Sequence, residues 1–392
     1  MKKDNMALSI SKDILYAGVE DRDIDLFEGQ YPVPDGITYN SYIIRDARTA
    51  VMDAVDGRFA EKWLAGVEAE LGGKAPDYIV VHHMEPDHSA GLGLFMDRFP
   101  ETKVVTSAQG VRMAQNLFKK DISGRAVIVK DGDTLCLGTH TLRFYAAPMV
   151  HWPEVLVSCE ESEKILFSAD AFGKFGSFDW DDDWPCEAAR YYFGIVGKFG
   201  PQVQALLRKL SGLELTAVCP LHGPVIRQEN IAGCVSLYGK WSSYEPERNG
   251  VVIAYASVYG ATKELAEELA ELLEGRGLDK TEVFDLARDD VSEAVEGAFR
   301  SSKLVLASPT INGDVFPAVK SFIQSLADHN YQKRTVAFIE SGMWAPASAK
   351  RMAELLGSCR DITFAQNSVK MLGRPDEAVR AQLEKLAEEL AS

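Results

Sequence analysis

No C-x-x-C pair occurs among the six cysteines, Cys136, Cys159, Cys186, Cys219, Cys234 and Cys359. A rubredoxin-like iron site needs two close cysteine pairs, so the chain encodes none. The scattered thiols are expected to be reduced and mostly buried. No apolar run approaches the roughly 20 residues that span a bilayer, which excludes a helical membrane segment. Met1-Lys2-Lys3-Asp4-Asn5 lacks the apolar stretch and cleavage site of a signal peptide, so a cytoplasmic location is expected. Positive charge is also short: 42 Lys and Arg stand against 58 Asp and Glu, a net charge of -16. That balance argues against nucleic acid and anionic membranes as partners. Neither a G-x-G-x-x-G fingerprint nor a Walker lysine pattern is present, which leaves dinucleotide and P-loop sites unsupported. Internal repeats and low-complexity tracts are likewise missing.

What remains is 392 residues with 46% hydrophobic and 26% charged content, enough for two domains with separate cores. Residues 10 to 240 alternate short β-type runs with amphipathic stretches. Strands are predicted at 38–44, 50–55, 77–83, 103–106, 126–129, 142–145 and 164–167. A helix is predicted at 58–71, burying Phe59, Trp63, Leu64 and Val67. Many short strands with few helices suggest sheets packed on each other and flanked by helices. The polar stretch 243–250, with Pro246 and Gly250, reads as a linker. Beyond it strand and helix alternate regularly, with strands at 251–256, 281–286, 303–308, 335–339 and 368–372 and a first helix at 262–274. This is the pattern of a doubly wound parallel sheet. Domains are expected at 1–246 and 250–392.

The densest chemical signal is His83-Met84-Glu85-Pro86-Asp87-His88, directly after a buried strand. Four ligand-type side chains within six residues, on the loop at a strand's C-terminal end, can converge on one or two metals. His151, Asp170 and His222 each follow an apolar run, where a lone polar side chain needs a reason to be. Taken singly, each is an ordinary surface or capping residue; together they engage four of the seven histidines. The other three, His82, His140 and His329, read as structural or surface residues. Four imidazoles with three carboxylates and no thiolate suit iron or manganese better than zinc, and Asp170 could bridge two ions.

A second constellation lies in the C-terminal half. Ser257-Val258-Tyr259-Gly260-Ala261-Thr262 joins a buried strand to a helix, and its backbone N–H groups can cradle a phosphate. Thr262 is expected to cap that helix. Two further loops follow strands of the same sheet: 308–314, with Pro309, Thr310, Ile311, Asn312 and Gly313, and 340–345, with Ser341, Gly342, Met343, Trp344 and Ala345. Ligands of this fold sit beyond the carboxyl ends of the strands, and a mononucleotide fits best. Met343 or Trp344 would pack near a flavin ring.

The pattern H-x-E-x-D-H followed by H, D and H resembles that of the flavo-diiron proteins. Their metal domain has the metallo-β-lactamase fold, in whose hydrolases the motif is H-x-H-x-D-H. His151 lies 63 positions after His88, and Asp170 lies 19 after His151, spacings similar to that family. His222 follows Asp170 by 52, a shorter interval than the family leads one to expect, consistent with a trimmed loop. Trp152-Pro153 and Ala189-Arg190-Tyr191-Tyr192 are similar too. Ala261 stands where a hydroxyl residue is expected.

The resemblance implies an α/β chain: an N-terminal metallo-β-lactamase-like αββα sandwich followed by a flavodoxin-like doubly wound parallel sheet carrying FMN. It implies two Fe per chain, with His83, Glu85 and His151 on one, Asp87, His88 and His222 on the other, and Asp170 bridging. In some members the histidine matching His88 stays off the metal. Tyr191 or Tyr192 would line the substrate pocket or simply pack. Two ferrous ions and a reduced flavin hold four electrons, enough to reduce O2 to two waters, while two electrons couple two NO to N2O. A head-to-tail homodimer, or a dimer of such dimers, would bring each flavin to the partner's irons. Because the chain ends at Ser392 without a rubredoxin extension, a separate donor is expected, such as a rubredoxin or a reduced deazaflavin.

Two rivals remain. One is a metallo-β-lactamase-fold hydrolase with an accessory flavodoxin domain, which Glu85 disfavours. The other is an electron carrier with a structural metal domain, which a seven-ligand set without thiolates disfavours.

Overall fold

The computed structural model describes residues 9–180 and 184–392. Contacts group the chain into two units: Met1–Tyr192 with Pro201–Tyr238, and Phe193–Gly200 with Gly239–Ser392.

The first unit is built on two six-stranded sheets. One runs in the order Ile14–Tyr16, Tyr42–Ile44, Ala50–Met52, Tyr78–Val80, Lys103–Thr106, Ala126–Ile128. The other runs Thr134–Cys136, Thr141–Ala146, Leu156–Glu160, Ile165–Phe167, Ala217–Cys219, Ile226–Arg227. Ile44, Met52, Val80 and Val105 from the first sheet share a core with Leu142, Phe144, Phe167 and Cys219 from the second. This is face-to-face packing of two sheets. The helix Ala60–Leu71 buries Trp63, Leu64 and Val67, one stripe at helical spacing. Phe59, expected in that stripe, is only partly buried, because it closes a 3-10 turn before the helix begins.

The segment read as one strand at 38–44 is two. Ile37–Tyr39 pairs with Val19–Asp21, and Tyr42–Ile44 joins the large sheet. Asn40 breaks the run by donating its side-chain N–H groups to the carbonyls of Pro220 and Gly223, at 2.9 and 2.8 Å. The strand predicted at 77–83 ends at Val80, which leaves His82 and His83 on the loop, while Asp87 and His88 fall in the short helix Pro86–Ser89 that follows.

The second unit is one parallel sheet in the order Lys280–Asp285, Arg248–Tyr255, Ser301–Ile311, Gln332–Gly342, then Arg360–Phe364 and Val369–Leu372. Numbered along the chain this is 2-1-3-4-5, the flavodoxin-like order. The helices Ala261–Leu273 and Glu377–Ala391 pack together, and Leu265, Leu269, Leu383 and Leu386 share a core with Val251, Ile253, Val305 and Ile339.

The strand Arg360–Phe364 went unseen, because it lies on an exposed edge and carries no apolar run. The stretch at 243–250 is not a free linker. Arg248 already opens the first strand, Tyr244 is buried, and Glu247 receives a two-pronged ion pair from Arg300 at 2.8 and 2.9 Å. Finally, only Cys159, Cys219 and Cys234 are buried; Cys136 and Cys186 are exposed and Cys359 is intermediate.

Candidate metal centre and nucleotide cradle

The motif loop begins where the strand Tyr78–Val80 leaves the sheet. Asp53 holds it from behind: its carboxylate accepts the backbone N–H of His82 at 2.7 Å and lies 2.6 Å from His82 Nδ1. The other nitrogen of His82 reaches Ser158 Oγ at 2.8 Å, so this histidine is fully engaged in the core. Asp53, Met149, Ala169 and Phe172 all adopt left-handed backbone angles at loops bordering the motif residues. Conformations of that kind cost about 1–3 kcal/mol each and cluster at functional sites.

All seven predicted ligand residues come together, in two groups. His83, Glu85, His151 and Asp170 form one; Asp87, His88 and His222 form the other. In the first, Glu85 Oε2 lies 3.0 Å from both His83 Nε2 and His151 Nε2. Asp170 Oδ2 lies 3.2 and 3.3 Å from the same two nitrogens. In the second, Asp87 Oδ2 lies 3.2 Å from His88 Nε2 and 3.3 Å from His222 Nε2. Asp170 Oδ1 faces this group, 3.1 Å from His88 Nε2 and 3.8 Å from His222 Nε2. One carboxylate thus turns one oxygen to each group.

The donors fit metal ions on two observations. Both oxygens of Asp87 and of Asp170, and both nitrogens of His88, are buried without a hydrogen bond, although oppositely charged atoms stand close. Buried polar atoms left in this way are costly, and cations would satisfy them. In addition, the imidazoles are pinned from outside. His83 Nδ1 lies 2.7 Å from Glu154 Oε1, and His222 Nδ1 lies 2.6 Å from the carbonyl oxygen of Thr38. With Nδ1 donating outward, the Nε2 lone pairs point inward, as metal-bound histidines require. His88 has no such outer partner among the described residues.

Without metal the cluster must hold protons instead. Burial alone would lower His151, but the neighbouring Asp170 carboxylate and the hydrogen bond with Glu85 outweigh it and push the imidazole up to about 9. Burial would raise Glu85, yet its bonds with His151 and His83 pull it down to about 2. Asp170 sits well below the usual carboxylate range: burial is overcome by His83 and His88.

Of the two tyrosines singled out, Tyr191 lies with its ring 5.4 Å from that of His222. Burial, then the charge of Asp170, drives its phenol well above the ordinary range, so it stays a neutral donor. Tyr192 packs on Tyr238 at 5.0 Å. Sequence reasoning passed over Glu154, Thr38 and Phe27, whose ring stands edge-on to His222 at 5.3 Å. Only the position of Glu154, three residues after His151, offered any signal.

In the second unit the three expected loops follow adjacent parallel strands, since Tyr255 aligns with Ala307, and Ala307 with Ile339. Ser257 Oγ accepts the N–H of Gly260 at 3.1 Å. Gly260 has φ +90 and open space around it, and the helix Ala261–Leu273 starts behind it. Thr262 is not the cap: Gly260 occupies that position, and Thr262 turns inward to share a hydrogen bond of 2.9 Å with Ser341. Residues 308–314 are not a plain loop either. Ile311 pairs with Asp314 across Asn312 and Gly313, both at positive φ, a two-residue hairpin of the kind Asn-Gly favours. Ser341 and Gly342 still belong to the strand Gln332–Gly342, so Met343 begins the third loop. Around these loops large apolar side chains stand in solvent: Val258 46%, Tyr259 91%, Met343 72% and Trp344 87% exposed. A phosphate-ready helix start beside uncovered aromatics fits a nucleotide with a flat ring.

Known proteins bear on both units. Residues 37–223 match the ODP family beta lactamase, and residues 252–372 match the flavodoxin domain. The rubredoxin-oxygen oxidoreductase of Megalodesulfovibrio gigas is 29% identical over 376 residues, covering 93% of this chain and 92% of that one. The anaerobic nitric oxide reductase flavorubredoxin of Escherichia coli is 26% identical over 386 residues, 95% of this chain and 79% of that one. The solved structure of rubredoxin oxygen:oxidoreductase from Desulfovibrio gigas superposes with a TM-score of 0.91 at 28% identity, covering 98% of each chain.

Proposed function

Since the chain belongs to the flavo-diiron proteins, we propose that it reduces O2 to water, NO to N2O, or both, at a non-haem diiron centre fed through FMN. The observation that carries this reading is Asp170, whose two oxygens face two separate donor groups. His83, Glu85 and His151 would hold one iron, and Asp87, His88 and His222 the other. When bound, the irons and FMN would supply the electrons, four for O2 and two for a pair of NO, with four and two protons respectively drawn from solvent.

The chain's own residues do the rest. Glu154 and the Thr38 carbonyl orient His83 and His222. Tyr191 keeps its proton and offers a neutral hydrogen-bond donor beside the centre, with Phe27 and Trp152 walling the imidazoles from water. Ser257 to Thr262 would hold the FMN phosphate. Pro309 to Gly313 and Ser341 to Ala345 would wrap its ring.

This reading takes 1–246 as the metal domain and 250–392 as the FMN domain. The printed names of the relatives favour rubredoxin as the electron donor, with a reduced deazaflavin as the other choice. A head-to-tail homodimer or a dimer of dimers would pair each flavin with the partner's irons. A cytoplasmic site of action is consistent with the described residues, none of whose helices is long and apolar enough to cross a membrane. The hydrolase reading is not favoured, because Glu85 replaces the histidine of those enzymes and the long relatives are reductases.

The test is to purify the protein without oxygen and measure iron, zinc and flavin per chain. O2 and NO consumption is then followed with reduced rubredoxin. Two irons, one FMN and turnover of either gas are expected. Two zincs, no turnover and hydrolysis of an ester or thioester would sink the proposal.

A further inference from the structure

A third cluster of ligand-type side chains lies at the other end of the sandwich. Asp13 immediately precedes the strand Ile14–Tyr16 of the first sheet. His140 lies in the turn before Thr141–Ala146 of the second, and Glu163 in the turn between Leu156–Glu160 and Ile165–Phe167. Ile14 pairs with Ile44, Ile44 with Ala50, and Ala50 with Tyr78. The cluster therefore sits where the strand Tyr78–Val80 starts, whereas the motif loop lies beyond that strand's end.

His140 is the informative residue. Its side chain is only 5% exposed. Nδ1 lies 3.1 Å from Oε1 of the fully buried Glu160, and the same oxygen accepts the Ser162 hydroxyl at 2.7 Å. The remaining nitrogen, Nε2, has no hydrogen bond among the described residues. It faces Asp13 Oδ2 at 3.8 Å and Glu163 Oε1 at 3.9 Å. Those separations are too long for hydrogen bonds, which run to about 3.2 Å. They suit donors placed around one ion at about 2.0–2.2 Å from each. Ser162, whose hydroxyl lies 3.2 Å from Nδ1 and donates to Glu160, links the imidazole from outside to that buried carboxylate, as outer partners hold a metal-bound histidine. Charge points the same way. The ion pairs of Asp13, Glu160 and Glu163 among the described residues all go to this one imidazole, so three carboxylates share at most one positive charge.

We propose that Asp13, His140 and Glu163 bind a divalent transition-metal ion, separate from the iron pair, that clips the edge of the first sheet to the turns of the second. Ser162, backed by Glu160, is its positioning residue. One nitrogen and two carboxylate donors suit zinc or manganese, with water completing the shell. Closing the long chain between Asp13 and His140 is where such a clip constrains the unfolded state most.

The experiment uses the iron- and FMN-loaded protein, freed of loosely held metal and equilibrated with Zn2+ alone. One zinc per chain beyond the iron is expected, with the iron content unchanged and a raised Tm. In the Asp13→Asn, Glu163→Gln double variant that zinc should bind at least roughly tenfold more weakly and the Tm rise should vanish, while iron and flavin stay. Should the double variant fold poorly, Asp13→Asn alone alters a side chain 40% exposed and serves the same comparison. No zinc beyond the iron, or zinc held equally well by the variant, overturns the proposal.

Discussion

His83 Nδ1 lies 2.7 Å from Glu154 Oε1, and the same oxygen accepts the backbone N–H of Met84 at 2.8 Å. One buried carboxylate therefore orients an imidazole of the centre and ties down the loop that carries it. Replacing Glu154 by Gln keeps the shape but weakens the pull on the imidazole proton. Metal affinity should fall roughly 10–100-fold, as for other outer partners of metal-bound histidine. Metal titration of the apoprotein measures it; unchanged affinity would show that His83 is positioned by packing alone.

Asp170→Asn removes the charge that faces both donor groups. The neutral amide still fits, so the fold should survive. One or both metals should be lost and turnover of O2 and NO abolished, while FMN stays at one per chain. Full activity in this variant would refute the bridging role.

Stripping the metals should make stability depend on pH on both sides. His151, raised to about 9 from an ordinary 6.5, gives the metal-free fold stability that is complete below about 6.5 and lost as the pH climbs through 9. Glu85, lowered to about 2 from 4.5, contributes stability that is present above about 4.5 and lost as the pH falls through 2. The metal-free protein should be most resistant to urea between those limits. Metal displaces these protons, so the loaded protein should not share the alkaline decline. Identical urea midpoints for the metal-free form at pH 6 and pH 9 would contradict this.

Gly260→Ala tests the phosphate cradle. At φ +90 a Cβ meets no neighbour, so the penalty is backbone strain, about 1–2 kcal/mol. FMN should bind roughly 5- to 30-fold more weakly while metal content is untouched. Fluorescence quenching of added FMN reads the affinity directly. Thr262→Ala, which removes the bond to Ser341, should produce a smaller loss.

Much of this protein was legible from local pattern. The motif from His83 to His88, the polar residues closing apolar runs at His151, Asp170 and His222, and the alternation beyond residue 250 all rest on near neighbours in the chain. Burial and strand periodicity act over a few residues, so they leave a trace there. The hairpin at Asn312-Gly313 was also encoded locally but went unread. Other features were decided only by tertiary structure. The edge strand Arg360–Phe364 forms because a neighbouring strand offers unpaired backbone groups, not because its own residues are apolar. Tyr244 and Glu247 are drawn out of a would-be linker by Arg300 and the core. The division of Asp170's two oxygens, the outward anchoring of His83 by Glu154, and the meeting of Asp13 with His140 depend on side chains far apart in sequence. Orientation at that scale is set by how two sheets pack and which loops they bring to one end. A sequence can name the donors in advance, but only packing aims their lone pairs.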